Sequence, residues 1–467
     1  MDANKHESNP AIAFVFINSV DNPAEPLPIL CYPRSTTQYI FQNSIATMTL
    51  ANLKPCTSLL TLIITCTWFN AVLPAQEIEI AGRWNAQLAS PDGPLRFGLE
   101  LNQVNERWTG FLINGQERIE VPTVTVKAPA ITLSIDHYDS VLKLNFDKST
   151  NQLNGTWKKR RGLNEWVEMP LTATPQPGTN LNSNTQDPTS FIGRWEVDFE
   201  SSDDPSVAIF EQAKDSHQVC GTFLTTTGDY RFLAGEVVDD RLTLSCFDGA
   251  HAFLFSANVK GQGADRILTG KFTSSMNWQE NWTAKLNSKA KLPDAFEQTK
   301  TTGAAKRLGE LSFPDLDGKM TRLDDPKFAG KARIIYVFGS WCPNCHDAAS
   351  YFAQLEKKYG SKGLSIVGLA FELTGDFKRD AAQVQKYLKR HGSTYPVLVA
   401  GINDKADATK RLTILDKVRS YPTTIFLDSE GTVQAVHTGF TGPATGKAYE
   451  QLKTKFEKLI EGLLAEA

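Results

Sequence analysis

The sequence lacks a strong excess of charge of either sign. Its 49 lysines and arginines nearly balance its 52 aspartates and glutamates, so the formal net charge is −3 over 467 residues. A chain without a basic excess has no global field that attracts nucleic acid. We therefore expect no nucleic-acid partner, and we expect the function to come from a local site.

The sequence also lacks an apolar run of the length that a membrane span requires. The run at residues 59–73 has about fifteen residues, whereas a spanning helix needs roughly 20. Lys54 precedes the run and Ala75 follows it, which is the layout of a secretory signal. We expect 48–75 to be a signal peptide and 1–47 to be an upstream extension, so that the mature protein is exported. An uncleaved signal anchor is the alternative, and it leads to the same side of the membrane.

Cysteine and methionine are scarce, with seven and five copies. Three cysteines lie in or before the signal segment, and the other four are Cys220, Cys246, Cys342 and Cys345. Four cysteines fit a disulfide-permissive compartment without requiring one. We expect Cys220 and Cys246 to be two buried thiols, and a structural disulfide between them is the alternative.

An internal duplication occupies residues 80–285. The sequence AGRW, which ends at Trp84, recurs as IGRW, which ends at Trp195, and ITLSI recurs as LTLSC at the same offset. Apolar and polar residues alternate within each copy, which indicates strands with one buried face. Turn residues separate these strands at short intervals, so each copy is predicted to be a small antiparallel barrel or sandwich.

The predicted architecture is therefore multidomain. The two all-β repeats are expected at 80–173 and 191–286, with a Pro-, Asn- and Thr-rich linker at 174–190 between them. A second, charged linker is expected at 287–310. From residue 311 to 467 strands alternate with helices, which predicts an α/β domain.

Cys342 and Cys345 form a C-x-x-C motif between a nearly continuous apolar run, residues 332–338, and an amphipathic helical pattern. The motif is thus expected at a helix N-terminus, where unpaired N–H groups and a partial positive charge favour a thiolate. Cys342 is the candidate nucleophile at the exposed edge of the turn. Cys345, one helical turn further on, is placed to resolve a mixed disulfide.

Two further residues are candidates for the same site. Pro422 follows Tyr421 directly before a predicted strand, where a cis-proline would present a backbone edge to an extended substrate. A proline that merely starts the strand is the alternative. Glu372 ends a second buried run and is placed to tune or deprotonate Cys345, with a solvated loop carboxylate as the alternative.

His346 extends the motif to C-x-x-C-H, the attachment signature of c-type haem. None of the five methionines follows the motif, which leaves His391 and His437 as distal ligands, and a haem would consume the dithiol. We therefore expect no haem, and we expect His346 to face solvent. A single C-x-x-C supplies two of the four ligands of a zinc site, so no metal or other cofactor is expected.

The ordered set SWCPNC, GLAFE, YPTTIFLDSEG and HTGFTGPATG resembles the exported thioredoxin-like disulfide reductases of the TlpA/ResA type, over residues 311–467. The duplicated β region also resembles the N-terminal parts of some bacterial TlpA-like proteins. The resemblance implies a redox pair at Cys342 and Cys345, a functional cis-proline at Pro422 and a site residue at Glu372. It further implies a periplasmic location and a membrane electron donor of the CcdA/DsbD type.

The sequence thus predicts an exported thiol:disulfide oxidoreductase that reduces protein disulfides. Exported proteins that carry disulfides are the expected partners, and apocytochrome c is one candidate among them. The alternative is a ligand-binding or adhesion protein whose β repeats do the work while the thioredoxin-like domain senses the redox state.

Overall fold

The computed structural model describes residues 80–176, 185–214, 216–302 and 308–467. The predicted upstream extension and signal segment lie outside the described residues, as do parts of both predicted linkers. Within the described ranges, no helix has the length and apolar character needed to cross a bilayer.

The first β repeat is a nine-stranded antiparallel sheet with the strand order β4-β3-β2-β1-β9-β8-β7-β6-β5. Its strands are β1 (Gly82–Ser90), β2 (Gly93–Val104), β3 (Arg107–Asn114), β4 (Glu117–Val121), β5 (Thr123–Lys127), β6 (Ala130–Ile135), β7 (Ser140–Asp147), β8 (Gln152–Arg160) and β9 (Trp166–Pro175). Alternate residues of each strand point into one core, and Leu95, Leu99 and Leu101 of β2 are fully buried. The sheet therefore curls into a nearly closed barrel.

The second β repeat is also a nine-stranded antiparallel sheet, ordered β11-β10-β18-β17-β16-β15-β14-β12-β13, and a further β11–β12 pairing closes it. Its strands are β10 (Gly193–Phe199), β11 (Ser206–Gln212), β12 (Val219–Thr225), β13 (Gly228–Asp229), β14 (Leu233–Val238), β15 (Arg241–Phe247), β16 (Ala252–Lys260), β17 (Ile267–Ser274) and β18 (Trp278–Leu286). Phe223 and Phe255 stack in its core at a ring-centroid distance of 4.3 Å.

One hydrogen bond shows that the two copies are equivalent. The indole N–H of Trp84 donates to the carbonyl of Ile80 (3.1 Å), and that of Trp195 donates to the carbonyl of Phe191 (2.9 Å). Both tryptophans are buried, so each indole donor needs a partner, and the residue four positions earlier supplies it. The repeated G-R-W sequence thus marks the same structural feature in each barrel.

The C-terminal region has a five-stranded sheet with the order β23-β22-β21-β24-β25, flanked by helices. The elements are β19 (Ser312–Pro314), β20 (Met320–Arg322), β21 (Ala332–Phe338), α1 (Pro343–Tyr359), β22 (Leu364–Glu372), α2 (Phe377–His391), β23 (Val397–Ile402), α3 (Lys405–Arg411), β24 (Thr423–Leu427), β25 (Val433–Thr438) and α4 (Lys447–Glu466). β21 pairs in parallel with β22 and antiparallel with β24. The predicted fold class, two tandem all-β repeats followed by an α/β thioredoxin-like domain, is confirmed.

The strand β21 lies at the centre of this sheet. All seven of its residues are buried, as its nearly continuous apolar sequence predicts, and the guanidinium of the one charged residue, Arg333, donates to the Leu323 carbonyl. Its C-terminal end leads into the segment that carries the two cysteines, directly before α1. The edge strand β23 was not recognised in the sequence, because a short apolar run after Pro396 gives little pattern.

Cys246 is a free and fully buried thiol in the core of the second barrel, so no disulfide joins it to Cys220. Cys220 is half-buried on β12. The prediction of two buried thiols is therefore correct for Cys246 and wrong for Cys220. The physical reason is that Cys220 follows the core residue Val219 on β12, so its side chain points away from the core of its own barrel and toward Gly115 of the first barrel, where an added Cβ would lie 3.4 Å from its Sγ.

The side chain of Arg231 joins the two barrels to the C-terminal α/β domain (residues 311–467), hereafter the redox domain. Its guanidinium lies 2.9 Å from Glu117 Oε1 of the first barrel and 3.6 Å from Asp248 Oδ2 of its own barrel. It also bonds to Asp347 on α1. The side chain is only 8% exposed, and a buried charge is tolerated only where such partners surround it. All three units therefore meet at one cation.

Replacing Arg231 with methionine is expected to destabilise the protein by about 3 kcal/mol or more, because three carboxylates would lose their buried partner. The measurement is the midpoint of denaturant unfolding, followed by tryptophan fluorescence. Arg322→Met is the matched control, since Arg322 pairs with Asp324 in solvent and its loss should leave the midpoint nearly unchanged. Equal effects of the two substitutions would contradict the proposed role of Arg231.

Candidate functional site

The two cysteines of the C-x-x-C motif lie at the N-terminus of α1. Cys342 is the N-cap residue, Pro343 is the first helical residue, and the backbone N–H of Cys345 donates to Cys342 Sγ (3.3 Å). Proline suits this position because the first helical N–H has no partner within the helix. The first turn of the helix therefore directs a backbone N–H group at the sulfur of Cys342, as the sequence predicts.

Cys342 is only 6% exposed and Cys345 is fully buried. The expectation that Cys342 lies at an exposed edge is therefore wrong. Its thiol packs against Tyr421, donating to the Tyr421 carbonyl at 3.5 Å. Nearby, the second barrel also bonds to Asn344 within the motif. Cys342 thus lies in a recess, and a substrate sulfur has to enter that recess to react.

The Tyr421–Pro422 peptide bond is cis, as the resemblance implied. The carbonyl that contacts Cys342 is the one in this bond, so the structure brings Cys342 and Pro422 together. The indole of Trp341 meets the Tyr421 ring edge to face, with centroids 5.7 Å apart. The cis-proline loop therefore forms one side of the recess.

Glu372 is fully buried at the end of β22, so the alternative of a solvated loop carboxylate is wrong. Burial raises its pKa to about 7, although two hydrogen bonds from Ser340, one from its backbone N–H (2.8 Å) and one from its hydroxyl (2.6 Å), favour the charged form. Among the described contacts, Glu372 bonds to Ser340 and to neither cysteine. Ser340, two residues before Cys342, is thus the link between the carboxyl and the dithiol segment.

The tyrosines Tyr336 and Tyr387 lie beneath Cys345, and sequence reasoning did not find them. Each hydroxyl lies 2.7 Å from the Cys345 carbonyl, and the two hydroxyls are 3.0 Å apart. The two hydroxyls carry one hydrogen each, so they can make only two of these three contacts as hydrogen bonds at any moment. A tyrosine hydroxyl in the buried, mainly apolar strand β21 was the available signal in the sequence.

Tyr336 also affects the acidity of the Cys345 thiol. Burial raises the pKa of that thiol well above its usual value and the adjacent Cys342 raises it further, whereas the nearby Tyr336 hydroxyl lowers it. A donor beside the sulfur stabilises the thiolate and not the thiol. The Tyr336 hydroxyl therefore favours the charged form of Cys345.

His346 is 6% exposed, so the expectation that it faces solvent is wrong. Its Nε2 lies 2.8 Å from the Ser340 carbonyl, which can only accept, so Nε2 carries the proton. Its Nδ1 therefore accepts from His391 Nε2 (2.7 Å), and burial holds the pKa of His346 well below 6.5. The physical reason for the burial is that the ring of Tyr138, from the first barrel, packs on the imidazole of His346 with the ring centroids 4.4 Å apart.

The fold and this site together define a thioredoxin-like thiol-disulfide oxidoreductase. A dithiol at a helix N-terminus, a cis-proline beside the first sulfur and a buried carboxyl behind the segment are assembled on one α/β sheet. Comparison with known proteins supports the same class.

Residues 290–452 match the Redoxin family. The chain is 28% identical over 130 residues to the thioredoxin-like protein YneN of Bacillus subtilis, which covers 28% of this chain and 68% of that protein. It is 25% identical over 168 residues to the thiol-disulfide oxidoreductase ResA of Halalkalibacterium halodurans, and the match covers 36% of this chain and 82% of that protein. It is 28% identical over 144 residues to ResA of Geobacillus thermodenitrificans, and the match covers 31% of this chain and 74% of that protein.

A solved structure, the putative thiol:disulfide interchange protein DsbE of Chlorobium tepidum, is 24% identical and covers 33% of this chain and 92% of its own, with a TM-score of 0.25. From the family match and the curated relatives, the C-terminal region is a thioredoxin-like domain of the TlpA/ResA type, preceded by two β barrels. The resemblance of residues 311–467 to the TlpA/ResA type is confirmed.

The rate at which Cys345 releases the substrate is expected to depend on the ionisation of Glu372. Since the pKa of Glu372 is about 7, the rate should rise with pH around neutrality as the carboxylate forms and becomes able to accept a proton. Glu372→Gln should remove this limb of the pH profile and lower the plateau about tenfold or more. The measurement is single-turnover release from a preformed mixed disulfide, and an unchanged profile would exclude Glu372 from the step.

The stability of the same variant gives an independent check of the pKa. Because the folded-state pKa of Glu372 is raised from 4.5 to about 7, its favourable contribution is complete below pH 4.5 and is lost as the pH rises through 7. The wild type should therefore lose stability relative to Glu372→Gln across this interval. Unfolding midpoints at a series of pH values measure the difference, with Glu430→Gln on the surface as control.

Tyr336→Phe is expected to slow release by Cys345 about tenfold, because the buried thiolate loses a hydrogen bond and a bond to a charged group contributes about 1.5–3 kcal/mol. Attack by Cys342 should change little. Tyr351→Phe is the matched control, since its hydroxyl donates to Lys453 on α4 instead of Cys345. Equal release rates in the Tyr336 variant and the wild type would contradict the role of this hydroxyl.

Proposed function

We propose that the protein is an exported reductase of protein disulfides. The observation that carries the proposal is the position of the Cys342 thiol, which contacts the carbonyl of the cis Tyr421–Pro422 bond while Cys345 lies behind it. In this arrangement Cys342 is the sulfur that a substrate can reach, and Cys345 is the sulfur that resolves the mixed disulfide. The curated relatives named thiol-disulfide oxidoreductases support the chemistry.

The proposed reaction has two exchange steps. The Cys342 thiolate attacks one sulfur of the substrate disulfide, the substrate S–S bond breaks, and the other substrate sulfur leaves as a thiolate that takes up a proton. Cys345 then loses its proton, attacks Cys342 Sγ and releases the second substrate thiol. The substrate gains two electrons and two protons, and Cys342 and Cys345 become a disulfide.

Glu372 is the proposed acceptor of the Cys345 proton. Its pKa of about 7 allows it to exist in either state at neutral pH, which is the property required of a general base. Its two bonds to Ser340 hold it at the base of the dithiol segment. The Tyr336 hydroxyl is proposed to stabilise the thiolate that the transfer produces.

The proposed location and partners follow from the sequence and from the family. The segment 48–75 has the layout of a secretory signal, which supports export to the periplasm. Disulfide-bearing exported proteins are the proposed substrates, with apocytochrome c as one candidate. A membrane electron donor of the CcdA/DsbD type is proposed to return the dithiol to its reduced state.

The purified protein should accelerate insulin reduction by dithiothreitol, and Cys342→Ser should abolish the acceleration. Cys345→Ser should instead accumulate a mixed disulfide, because the first step remains and the second is lost. The double variant lacking both thiols is the control for nonspecific capture. Wild-type activity no greater than that of Cys342→Ser would refute the assignment.

Trapping in the producing cell identifies the substrate. Cys345→Ser, expressed with its export segment, should form covalent adducts with exported proteins that are absent with Cys342→Ser. Adducts confined to cytoplasmic proteins would refute export, while the insulin assay would still report on the chemistry.

A further inference from the structure

The tight turn between β12 and β13 of the second barrel lies against the redox site. Thr225 pairs with Gly228 across this hairpin, so Thr226 and Thr227 form its tip. No chemistry was assigned to the β repeats from the sequence. The position of this turn gives the second repeat a role in the reaction.

Three segments of the redox domain bond to the turn: the cis-proline loop, the start of α1 and the segment after β25. The hydroxyl of Ser420, in the cis-proline loop, donates to the carbonyl of Thr227 (2.8 Å). The side-chain amide of Asn344, between the two cysteines, donates to the carbonyl of Asp229 (3.3 Å). The backbone N–H of Gly442, after β25, donates to the carboxylate of Asp229 (2.6 Å).

The fit between the turn and these loops leaves no room for a peptide. A Cβ added at Gly228 would lie 1.9 Å from the amide nitrogen of Asn344, and one added at Gly439 would lie 2.7 Å from the Thr227 carbonyl. Both glycines also have positive φ values, +154° and +75°, that other residues rarely adopt. On this side of the recess the backbone of Gly439 therefore meets the backbone of Thr227, and the backbone of Gly228 meets the side chain of Asn344.

The turn is also fixed from its own side. The carboxylate of Asp229 accepts from the backbone N–H of Arg231 (2.8 Å), and the Arg231 side chain lies in the buried cluster that joins the three units. Moving the turn away from the dithiol would disturb this cluster. The turn is thus a fixed wall and not a freely moving loop.

We propose that the turn formed by Thr225–Asp229 is a specificity-determining element of the redox site. It closes one side of the recess, so a disulfide carried on a short or extended segment enters along the Tyr421–Pro422 edge, while a disulfide set in the surface of a folded domain is excluded. A new S–S bond requires the two sulfurs to approach to about 2.05 Å, which a broad surface does not achieve at a recessed thiol. This inference rests on the proposed disulfide reductase function.

The experiment compares one single-disulfide protein in its folded form with a destabilised, unfolded variant of the same protein. Dithiothreitol supplies the electrons, and the ratio of the two rates is the readout. Asp229→Ala removes the bond to Gly442 and the support of Arg231, and it is expected to raise the folded-to-unfolded rate ratio about tenfold, the loss of one charged hydrogen bond.

Two further variants complete the comparison. Asp229→Asn keeps one side-chain oxygen, so it can retain only one of the two contacts, because Oδ1 accepts from Arg231 and Oδ2 accepts from Gly442, and its ratio should rise less than that of Asp229→Ala. Asp240→Ala lies in the exposed turn between β14 and β15 of the same barrel and is the matched control, which should leave the ratio unchanged. If Asp229→Ala does not fold, Ser420→Ala takes its place, because it removes the hydrogen bond to the Thr227 carbonyl by a change in the redox domain. The same folded-to-unfolded rate ratio is then measured.

A ratio that does not rise in Asp229→Ala or in Ser420→Ala overturns the inference, provided that the wild type reduces the unfolded form. A wild type that reduces neither form refutes the proposed function itself. The two failures are therefore distinguishable within one set of measurements.

Discussion

The arrangement of the whole molecule depends on the burial of one cation, Arg231. A guanidinium removed from water loses several kcal/mol of solvation, which is recovered only where carboxylates and hydrogen bonds surround it. Those partners come from separate units: Glu117 from the first barrel, Asp248 from the second and Asp347 from the helix that carries the dithiol. The charge is therefore satisfied only when all three units are docked in one orientation. The same residue fixes the turn that reaches the redox site, so docking and access to the dithiol are coupled.

The duplication explains how such a junction arises. The hairpin that supplies Glu117 (β3 to β4) and the hairpin that ends at Asp229 (β12 to β13) occupy equivalent positions in the two copies, since the second strand of each begins at Glu117 and at Gly228. Glu117, at the first of these turns, pairs with Arg231, which lies two residues beyond the second, and Asp347 near the start of α1 also bonds to Arg231. The first hairpin thus gives an acid to the cluster, while the second forms the wall over the dithiol and leads directly to the cation. Repeated folds thus make unequal contributions to a single site.

Much of the fold was predictable because its causes are local in sequence. Alternation of apolar residues predicted the strands, the G-R-W repeat predicted two equivalent barrels, and the motif spacing placed Cys342 and Cys345 at a helix N-terminus. The environment of the site was not predictable in this way. His346 is buried by Tyr138 from a distant part of the chain, and Cys342 lies in a recess. Such contacts arise from docking between domains, which no local periodicity records.

The chemistry and the control of access are therefore divided between the parts of the chain. The cysteines, the cis-proline, Glu372 and the tyrosine pair all belong to the α/β domain, so the exchange reaction requires no group from the barrels. The barrels act on the same site from two sides: Tyr138 of the first packs on His346, whose Nε2 holds the Ser340 carbonyl, and the turn of the second covers Asn344. Because Ser340 also binds Glu372, the first barrel reaches the candidate base through two successive hydrogen bonds. A barrel that moved would thus alter both the entry of a substrate and the position of the proton acceptor, which explains why the buried cluster at Arg231 fixes all three units rigidly.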